Sequence, residues 1–339
     1  MGQPFFSIII ATYNSEHTLE YTLQSIRRQS VNQDEVEILV VDGGSTDRTR
    51  EIAQRYGAII YSNPRRLPEY AKAIGTSQAT GHYVVRMDSD EEFSYCTQLQ
   101  DKMEFLKSHP ELKVLIPNKY SGGGRKGICG IAAEYMNILG DPFSYFIYRT
   151  KVDKYHTYRN HVISEEGKYT IMKFEPGDIY PLADSATSTL SLDYMKEKYP
   201  DIYASIEFTC KAYDQIISDT KLCGCIRGDD ILHNCSSSFK VYLSKLKFRV
   251  INNLFHKEES GFSSKEKMSD RMKKRKILFC FYALFFPLPL LDSIRLSFIY
   301  KDASFLLHFI YLYYVCVQIV ILGIMKITGR ECKNASYGK

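Results

Sequence analysis

Three features are missing from this sequence, and each absence excludes a class of protein. The nine cysteines include no paired Cys-x-x-Cys groups, which argues against a zinc site and favours reduced thiols. No Gly-x-Gly-x-x-Gly motif follows a predicted strand, which excludes a dinucleotide-dependent oxidoreductase. The N-terminus MGQPFFSIII lacks the basic start of a secretory signal peptide. We therefore expect the main body of the chain on the cytoplasmic side.

Charged residues are absent from two C-terminal stretches and concentrated just before them. Residues 277–291 and 303–325 carry no charge, and the second stretch is long enough to cross a bilayer. Residues 240–276 carry a net charge of +8, against −3 for the rest of the chain. A basic segment beside apolar runs favours anionic lipid on the cytoplasmic face over nucleic acid. The sequence therefore predicts membrane attachment, and Pro287 and Pro289 favour a broken or tilted first helix.

The N-terminal part alternates strand and helix patterns. Apolar runs predict strands at 5–12, 36–42, 58–62 and 81–88. The segments between them have helical spacing, so we predict an α/β fold with a largely parallel sheet. Ligands bind outside the carboxyl ends of such strands. Three polar segments fall there, namely ATYN (11–14), DGGSTD (42–47) and DSDEE (88–92).

Two of these segments contain carboxylates that suit ligand binding. Asp42 precedes two glycines, which let a ligand approach the backbone. A strand–turn–helix corner without a ligand would have the same sequence pattern. Asp88 and Asp90 could divide labour, one bonding a sugar hydroxyl and the other binding Mg²⁺ or Mn²⁺ with substrate phosphates. A solvated helix start would show the same residues, because a lone Asp-x-Asp is a weak signal.

In combination, the motifs point to one family. SIIIATYNSE, EILVVDGGSTDRT and EYAKAIGTSQATGHYVVRMDSDEE resemble, in order and spacing, the nucleotide-diphospho-sugar domain of family 2 glycosyltransferases. The resemblance covers residues 5–95, and extends less clearly to 235. It implies the GT-A fold, a Rossmann-like mixed α/β sheet, and an enzyme that transfers a sugar from a nucleotide-diphosphate sugar.

The resemblance also implies roles for individual residues. The nucleoside and donor would be held by Thr12, Tyr13, Asn14, Asp42, Lys72 and Asp88. Asp90 would be a ligand of Mg²⁺ or Mn²⁺, and His233 of GDDILHN stands where many of these enzymes have a further metal ligand. Ala73 departs from the family, which usually has Asn there.

The general base is the least defined residue. An inverting transfer needs a carboxylate that takes the proton of the acceptor hydroxyl. The family supplies it from a Glu-Asp pair, and counting back from YDQIISDTK places Glu207 at that pair with Phe208 in place of the Asp. Asp184 and Asp214 are the other candidates. Each of the three could equally be a surface or capping carboxylate.

The predicted organisation follows from these features. The parts are a catalytic domain at 1–235 (donor half 1–95, acceptor half 96–235), a basic amphipathic segment at 236–276, a transmembrane hairpin or re-entrant segment plus span at 277–325, and a cytoplasmic tail at 326–339. The donor would be a UDP-sugar by default, and the acceptor a lipid-linked glycan or polyisoprenyl phosphate. The motif QRRxW of processive synthases is absent, so we expect one sugar per encounter.

Two other functions remain open. A nucleotidyltransferase would need a glycine- and lysine-rich loop after the first strand, and ATYNSEHT contains neither residue. A catalytically degenerate membrane scaffold would explain Phe208 and Ala73. Asp42, His233 and the Asp-x-Asp motif argue against the scaffold.

Overall fold

The computed structural model describes residues 2–122, 132–181, 188–234, 238–255 and 270–330. They form two compact units. The first comprises residues 1–121, 153–176 and 180–234, and the second comprises 122–152, 177–179 and 235–339. The predicted division at 235, 276 and 325 stays a prediction.

The strands, in chain order, are β1 (Phe6–Thr12), β2 (Val36–Asp42), β3 (Ile59–Ser62), β4 (Tyr83–Asp88), β5 (Glu91–Phe93), β6 (Val114–Ile116), β7 (Lys119–Gly122), β8 (Val162–Glu166), β9 (Tyr169–Lys173), β10 (Thr189–Ser191), β11 (Leu222–Ile226) and β12 (Asp230–His233). The four strands predicted from apolar runs correspond to β1 to β4.

The α-helices, in chain order, are α1 (Leu19–Arg27), α2 (Thr49–Arg55), α3 (Pro68–Gln78), α4 (Gln98–Ser108), α5 (Ala133–Leu139), α6 (Pro142–Tyr148), α7 (Lys154–Thr157), α8 (Leu192–Lys198), α9 (Ile206–Thr209), α10 (Ala212–Thr220), α11 (Phe239–Phe255), α12 (Asp270–Leu284), α13 (Pro287–Tyr300) and α14 (His308–Ile327). Short 3₁₀ helices occupy Gln33–Glu35, Arg159–His161 and Ala303–Leu307.

The first unit is built on a mixed sheet of nine strands in the order β3-β2-β1-β4-β10-β6-β11-β9-β8. The strands β3, β2, β1 and β4 run parallel, and β10 is antiparallel to both β4 and β6. A small sheet has the order β5-β12-β7. The predicted mixed α/β sheet is confirmed.

Strand β1 lies at the centre of the parallel part and is buried on both faces. Ile8 and Ile10 belong to one apolar core and Ile9 to the other. Helix α3 packs very closely over Ile9, since a Cβ added at Gly75 would lie 2.3 Å from its Cγ2 atom. A residue larger than glycine would push α3 away from the sheet, and with it Lys72 on the same helix.

The second unit is helical in its described part. Its core is aromatic, with Tyr135, Tyr242 and Tyr311 in ring contacts at 4.7 to 5.9 Å between centroids. The hydroxyl of Tyr135 lies 2.6 Å from Nδ1 of His308. Asp292 accepts a hydrogen bond from Tyr145. These polar groups are paired within the unit, so they stabilise its fold.

One helical segment among the described residues, Ala303–Ile327, is by itself long and apolar enough to cross a membrane. The pair Met272–Leu284 and Pro287–Tyr300 passes the same test together and bends by 96° at its break. Of the two expected forms, a broken or a tilted first helix, the structure has the broken one.

Candidate active site

The carboxyl ends of β1, β2 and β4 bring the predicted polar segments together. Thr12 pairs with Asp42 in the register of β1 and β2. Ala11 pairs with Asp88 in the register of β1 and β4. The three segments therefore share one edge of the sheet, where open α/β folds bind ligands.

Asp42 holds the first two loops in place. Its side chain is fully buried and accepts hydrogen bonds from Oγ1 of Thr12 at 3.1 Å, from the backbone N–H groups of Gly44 and Ser45, and from the Ser45 hydroxyl. Gly44 has a φ of 83°, which favours glycine. Asp42 thus shapes the predicted nucleoside site, and its direct contact with a nucleoside stays a prediction.

Tyr13 and Asn14 form the exposed rim of this loop. The Tyr13 ring is 45% exposed, and the guanidinium of Arg66 lies 5.1 Å from its centroid. Asn14 has a φ of 49°, and its Oδ1 atom accepts a hydrogen bond from Thr46 N–H. An exposed ring backed by a cation is suited to stacking against a planar base. Arg66 was not singled out from the sequence.

The acidic segment after β4 is organised around a buried glutamate. Glu91 accepts a hydrogen bond from the backbone N–H of Asp88 at 2.9 Å. Burial raises the pKa of Glu91 well above its usual range, and the charges of Asp88 and Asp90 raise it further. Glu91 therefore shapes the turn that presents Asp88 and Asp90.

Asp90 and His233 meet because β5 and β12 pair. His233 lies opposite Glu91 in this antiparallel pair, and its Nε2 atom is 3.4 Å from Oδ2 of Asp90. The backbone N–H of Asn234 also donates to the carbonyl of Asp90 at 2.8 Å. The structure thus places both predicted metal ligands side by side.

The donor set fits a divalent cation that is completed by a substrate. Among the described residues, no group of three or more His, Cys, Asp or Glu side chains could hold a metal. One carboxylate and one imidazole leave most coordination positions of the cation to oxygen atoms from other groups. Mg²⁺ and Mn²⁺ are commonly bound by one or two protein groups together with substrate phosphates.

Lys72 lies on α3 with its side chain largely buried. Its charge acts on Glu91 and on Cys210. Within the described part of the chain, its ammonium has no hydrogen-bond or ion-pair partner. A mostly buried cation without a direct partner is suited to an anionic ligand.

The three candidate bases are placed differently. Glu207 is exposed at the start of α9, and Phe208 is buried against Tyr199 with 4.6 Å between ring centroids. Asp184 lies outside the described residues. Asp214 lies in the first turn of α10, where burial raises its pKa to about 6. The assignment of the base stays a prediction, and a carboxylate that titrates near neutral pH suits the role.

The raised pKa of Asp214 predicts a pH-dependent stability. An unfolded aspartate titrates near ~3.9. As the pH rises, Asp214 loses its proton at a lower pH in the unfolded chain than in the folded chain. Stability therefore falls as pH rises from about 4 to about 6. Above this range, the ionised carboxylate lowers the free energy of unfolding by on the order of 2 to 3 kcal/mol. Asp214→Asn should therefore have a larger free energy of unfolding than wild type at pH 7.5 and the same free energy of unfolding at pH 4.

Urea unfolding at the two pH values measures this difference. Asp201→Asn, at an exposed position, is the matched control and should change stability at neither pH. A less stable Asp214→Asn protein at pH 7.5 would mean that a partner stabilises the carboxylate.

The sequence offered no signal for a buried ion pair near His233. Lys102 on α4 pairs with Asp229, and both side chains are almost completely buried. Gln98 also donates to Asp229 at 2.6 Å. Asp229 directly precedes β12, so this network fixes the start of the strand that ends in His233.

The family described as "Glycosyl transferase family 2" matches residues 7–167. Residues 7–167 therefore form a domain that matches this family, and they are just under half of the chain. A mannosyltransferase from Pyrobaculum calidifontis, solved with GDP-Man and Mn²⁺, has the same fold, with a TM-score of 0.50 at 14% identity over 94% of this chain and 88% of that one. The predicted GT-A fold is confirmed, and the predicted family is confirmed for the matching domain.

Two curated relatives match over parts of their length. The poly(ribitol-phosphate) β-N-acetylglucosaminyltransferase TarS of Staphylococcus aureus is 32% identical over 124 residues, which are 35% of this chain and 22% of TarS. The putative glycosyltransferase EpsE of Bacillus subtilis is 28% identical over 171 residues, 47% of this chain and 60% of EpsE. This chain therefore matches about a fifth and three fifths of these two proteins.

Proposed function

We propose that this protein is a metal-dependent, inverting glycosyltransferase that moves one sugar from a nucleotide-diphosphate sugar to a lipid-linked saccharide or polyisoprenyl phosphate at the cytoplasmic face of a membrane. The Asp90–His233 pair carries this proposal, because it joins a carboxylate and an imidazole at the ligand-binding edge of a family 2 fold. Lys72, a largely buried cation on the adjoining helix α3, adds a group that suits the donor phosphates.

In the proposed reaction, each side chain at this edge of the sheet has its own role. Tyr13 and Asn14 would hold the nucleoside on the rim shaped by Asp42, and Asp88 would bond the ribose. Asp90 and His233 would hold Mg²⁺ or Mn²⁺, which offsets negative charge on a leaving diphosphate. Glu207, Asp184 or Asp214 would take the proton from the acceptor hydroxyl.

The nature of the acceptor is supported by the relatives and by the C-terminal helices. TarS is named for transfer to a poly(ribitol-phosphate), and another relative is named a minor teichoic acid biosynthesis protein. These names support an acceptor from the assembly of cell-surface polymers, such as the lipid-linked saccharide proposed above. UDP is the default nucleotide. The family match does not support the nucleotidyltransferase alternative.

Attachment to the membrane is supported by apolar side chains on the surface of the second unit. Large apolar side chains on α12 to α14 are exposed, among them Leu284 at 82% and Phe298 at 80%. A cluster of this size on a soluble surface marks an interaction site. The net charge of +8 over residues 240–276 suits anionic lipid.

The membrane proposal predicts that Leu284→Asp and Phe298→Asp weaken binding to vesicles of anionic and zwitterionic phospholipid. Each substitution removes an apolar side chain worth roughly 1.5 to 3 kcal/mol when fully buried, so each should weaken binding about tenfold or more. Flotation of the purified full chain with vesicles measures it. Ile163→Asp, at a 58% exposed position on β8, is the matched control. Equal flotation of all variants would reject membrane insertion of these helices.

The enzymatic proposal is tested by release of nucleotide from UDP-, GDP- and dTDP-sugars in detergent, with Mg²⁺ or Mn²⁺, with and without an added lipid-linked acceptor. Metal-dependent release from one donor would support the proposal and identify the nucleotide. No release and no donor binding by calorimetry would instead support the degenerate scaffold.

A further inference from the structure

Arg86 is a buried cation that the proposed reaction does not yet use. It lies on β4 two residues before Asp88, and only 4% of its surface is exposed. Its Nη1 atom donates to the carbonyl of Thr209 at 2.8 Å, which ties β4 to the end of α9. Nε and Nη2 are completely buried and have no hydrogen-bond partner among the described residues. Those two atoms form one edge of the planar guanidinium.

An unpaired edge of this kind is unusual in a protein core. A guanidinium keeps its charge at any physiological pH, so burial leaves an uncompensated cation. Buried polar groups without partners normally indicate a missing ligand, ion or water. Two parallel N–H groups on one edge match the oxygens of a phosphate or carboxylate.

Lys72 is a second buried cation near Cys210. The charges of Arg86 and Lys72 both act on the thiol of Cys210, which directly follows α9. Lys72 lies on α3, and Arg86 lies on β4. Glu69 and Glu207 also act on this thiol, but neither forms an ion pair with Arg86 within the described chain. Helix α3 packs against α9, and Arg86 bonds the last residue of α9, so both cations lie in the neighbourhood of Cys210.

We infer that Arg86 and Lys72 form a binding subsite for a phosphoryl group of a substrate, with the Nε–Nη2 edge of Arg86 as its fixed donor and Lys72 as its second cation. The role of the subsite in transfer rests on the proposed function, whereas phosphate binding can be tested without it. A phosphate is favoured over a carboxylate because two cations from different elements can each bond a separate oxygen of a tetrahedral group. The phosphate could belong to the donor diphosphate or to the acceptor.

The test is thermal unfolding of the full chain in detergent, titrated with inorganic phosphate in the absence and presence of saturating UDP and Mg²⁺. The variant Arg86→Met removes the charge at similar volume. It should weaken phosphate binding at least about tenfold, since it loses charged hydrogen bonds, and the phosphate concentration needed for a given rise in Tm should increase accordingly. Arg227→Met is the matched control, because Arg227 lies beside Glu165 on the surface of the same unit. General stabilisation by phosphate acts equally on all variants and cancels in the comparison.

The outcomes separate the two sources and a purely structural role. A phosphate response that persists with UDP bound would assign the subsite to the acceptor, and a response suppressed by UDP would assign it to the donor. Without phosphate, Arg86→Met should be no less stable than wild type, since it removes an unpaired buried charge. If that variant does not fold, Arg86→Lys can replace it. Arg86→Lys keeps the charge but loses the Nε–Nη2 edge, so it should also bind phosphate more weakly than wild type.

An equal phosphate response in wild type and in the Arg86 variants would overturn the inference. The arm without UDP gives this answer even if no nucleotide binds, so a failure of the subsite and a failure of the proposed transferase activity remain distinguishable.

Discussion

Asp90→Asn is expected to lower metal-dependent nucleotide release by about 10²- to 10³-fold, because stabilisation of a leaving diphosphate by a bound cation is worth several kcal/mol. Asn keeps the size of the side chain and loses the charge that would hold the cation beside His233. His233→Asn should give a loss of similar kind, and the double variant should lose little more, because the two side chains act as one site. Rates of nucleotide release at saturating donor measure all three.

The control for this prediction is Asp34→Asn, at an exposed position in the 3₁₀ helix Gln33–Glu35. It makes the same chemical change away from the crevice and should leave the rate unchanged. An Asp90→Asn protein with the wild-type rate and the wild-type metal dependence would show that Asp90 does not hold the cation.

Breaking the buried pair of Lys102 and Asp229 should have the largest effect on stability. Removal of one partner leaves the other charge buried and unpaired, which costs about 3 to 5 kcal/mol. Lys102→Met and Asp229→Asn should each lower the free energy of unfolding of the first unit by this order. Urea unfolding followed by circular dichroism and tyrosine fluorescence measures it, since the chain contains no tryptophan.

The double variant Lys102→Met/Asp229→Leu distinguishes charge from packing. It removes both charges and keeps apolar volume, so it should recover most of the stability lost in either single variant. Losses that simply add would mean that the two side chains contribute independently. Lys107→Met, a nearby change on the same helix outside the pair, should cost little.

The parallel half of the sheet could be predicted because its local and global signals agree. Strand β1 is an uninterrupted apolar run, as expected for a strand buried between two cores. The polar segments after β1, β2 and β4 then had to meet, since parallel neighbours end at the same edge. The break before Pro287 followed from proline geometry.

The remaining features depend on pairings between distant parts of the chain. Asp90 meets His233 through the short antiparallel pair β5 and β12, and nothing local to either residue specifies that register. Lys102 and Asp229 read as ordinary surface charges in the sequence, yet both are buried. Arg86 interrupts an apolar strand, and only the folded chain shows that one edge of its guanidinium has no partner among the described residues.

The role of Asp42 shows a related limit. The resemblance implies a contact with the nucleoside, whereas the structure shows a fully buried carboxylate that bonds Thr12, Gly44 and Ser45. In either case, Asp42 contributes to the loop at the predicted nucleoside site. Hydrogen bonds within a loop are invisible in a sequence, so a binding role and a supporting role produce the same motif.

The most direct test of the metal-dependent transferase is electron paramagnetic resonance of Mn²⁺ titrated into the purified full chain with and without UDP. We predict that UDP strongly increases Mn²⁺ binding, to one ion per chain, because Asp90 and His233 supply only part of the coordination. Asp90→Asn should abolish that increase. Absence of protein-bound Mn²⁺ with UDP, GDP or dTDP, or unchanged binding in Asp90→Asn, would contradict the proposal.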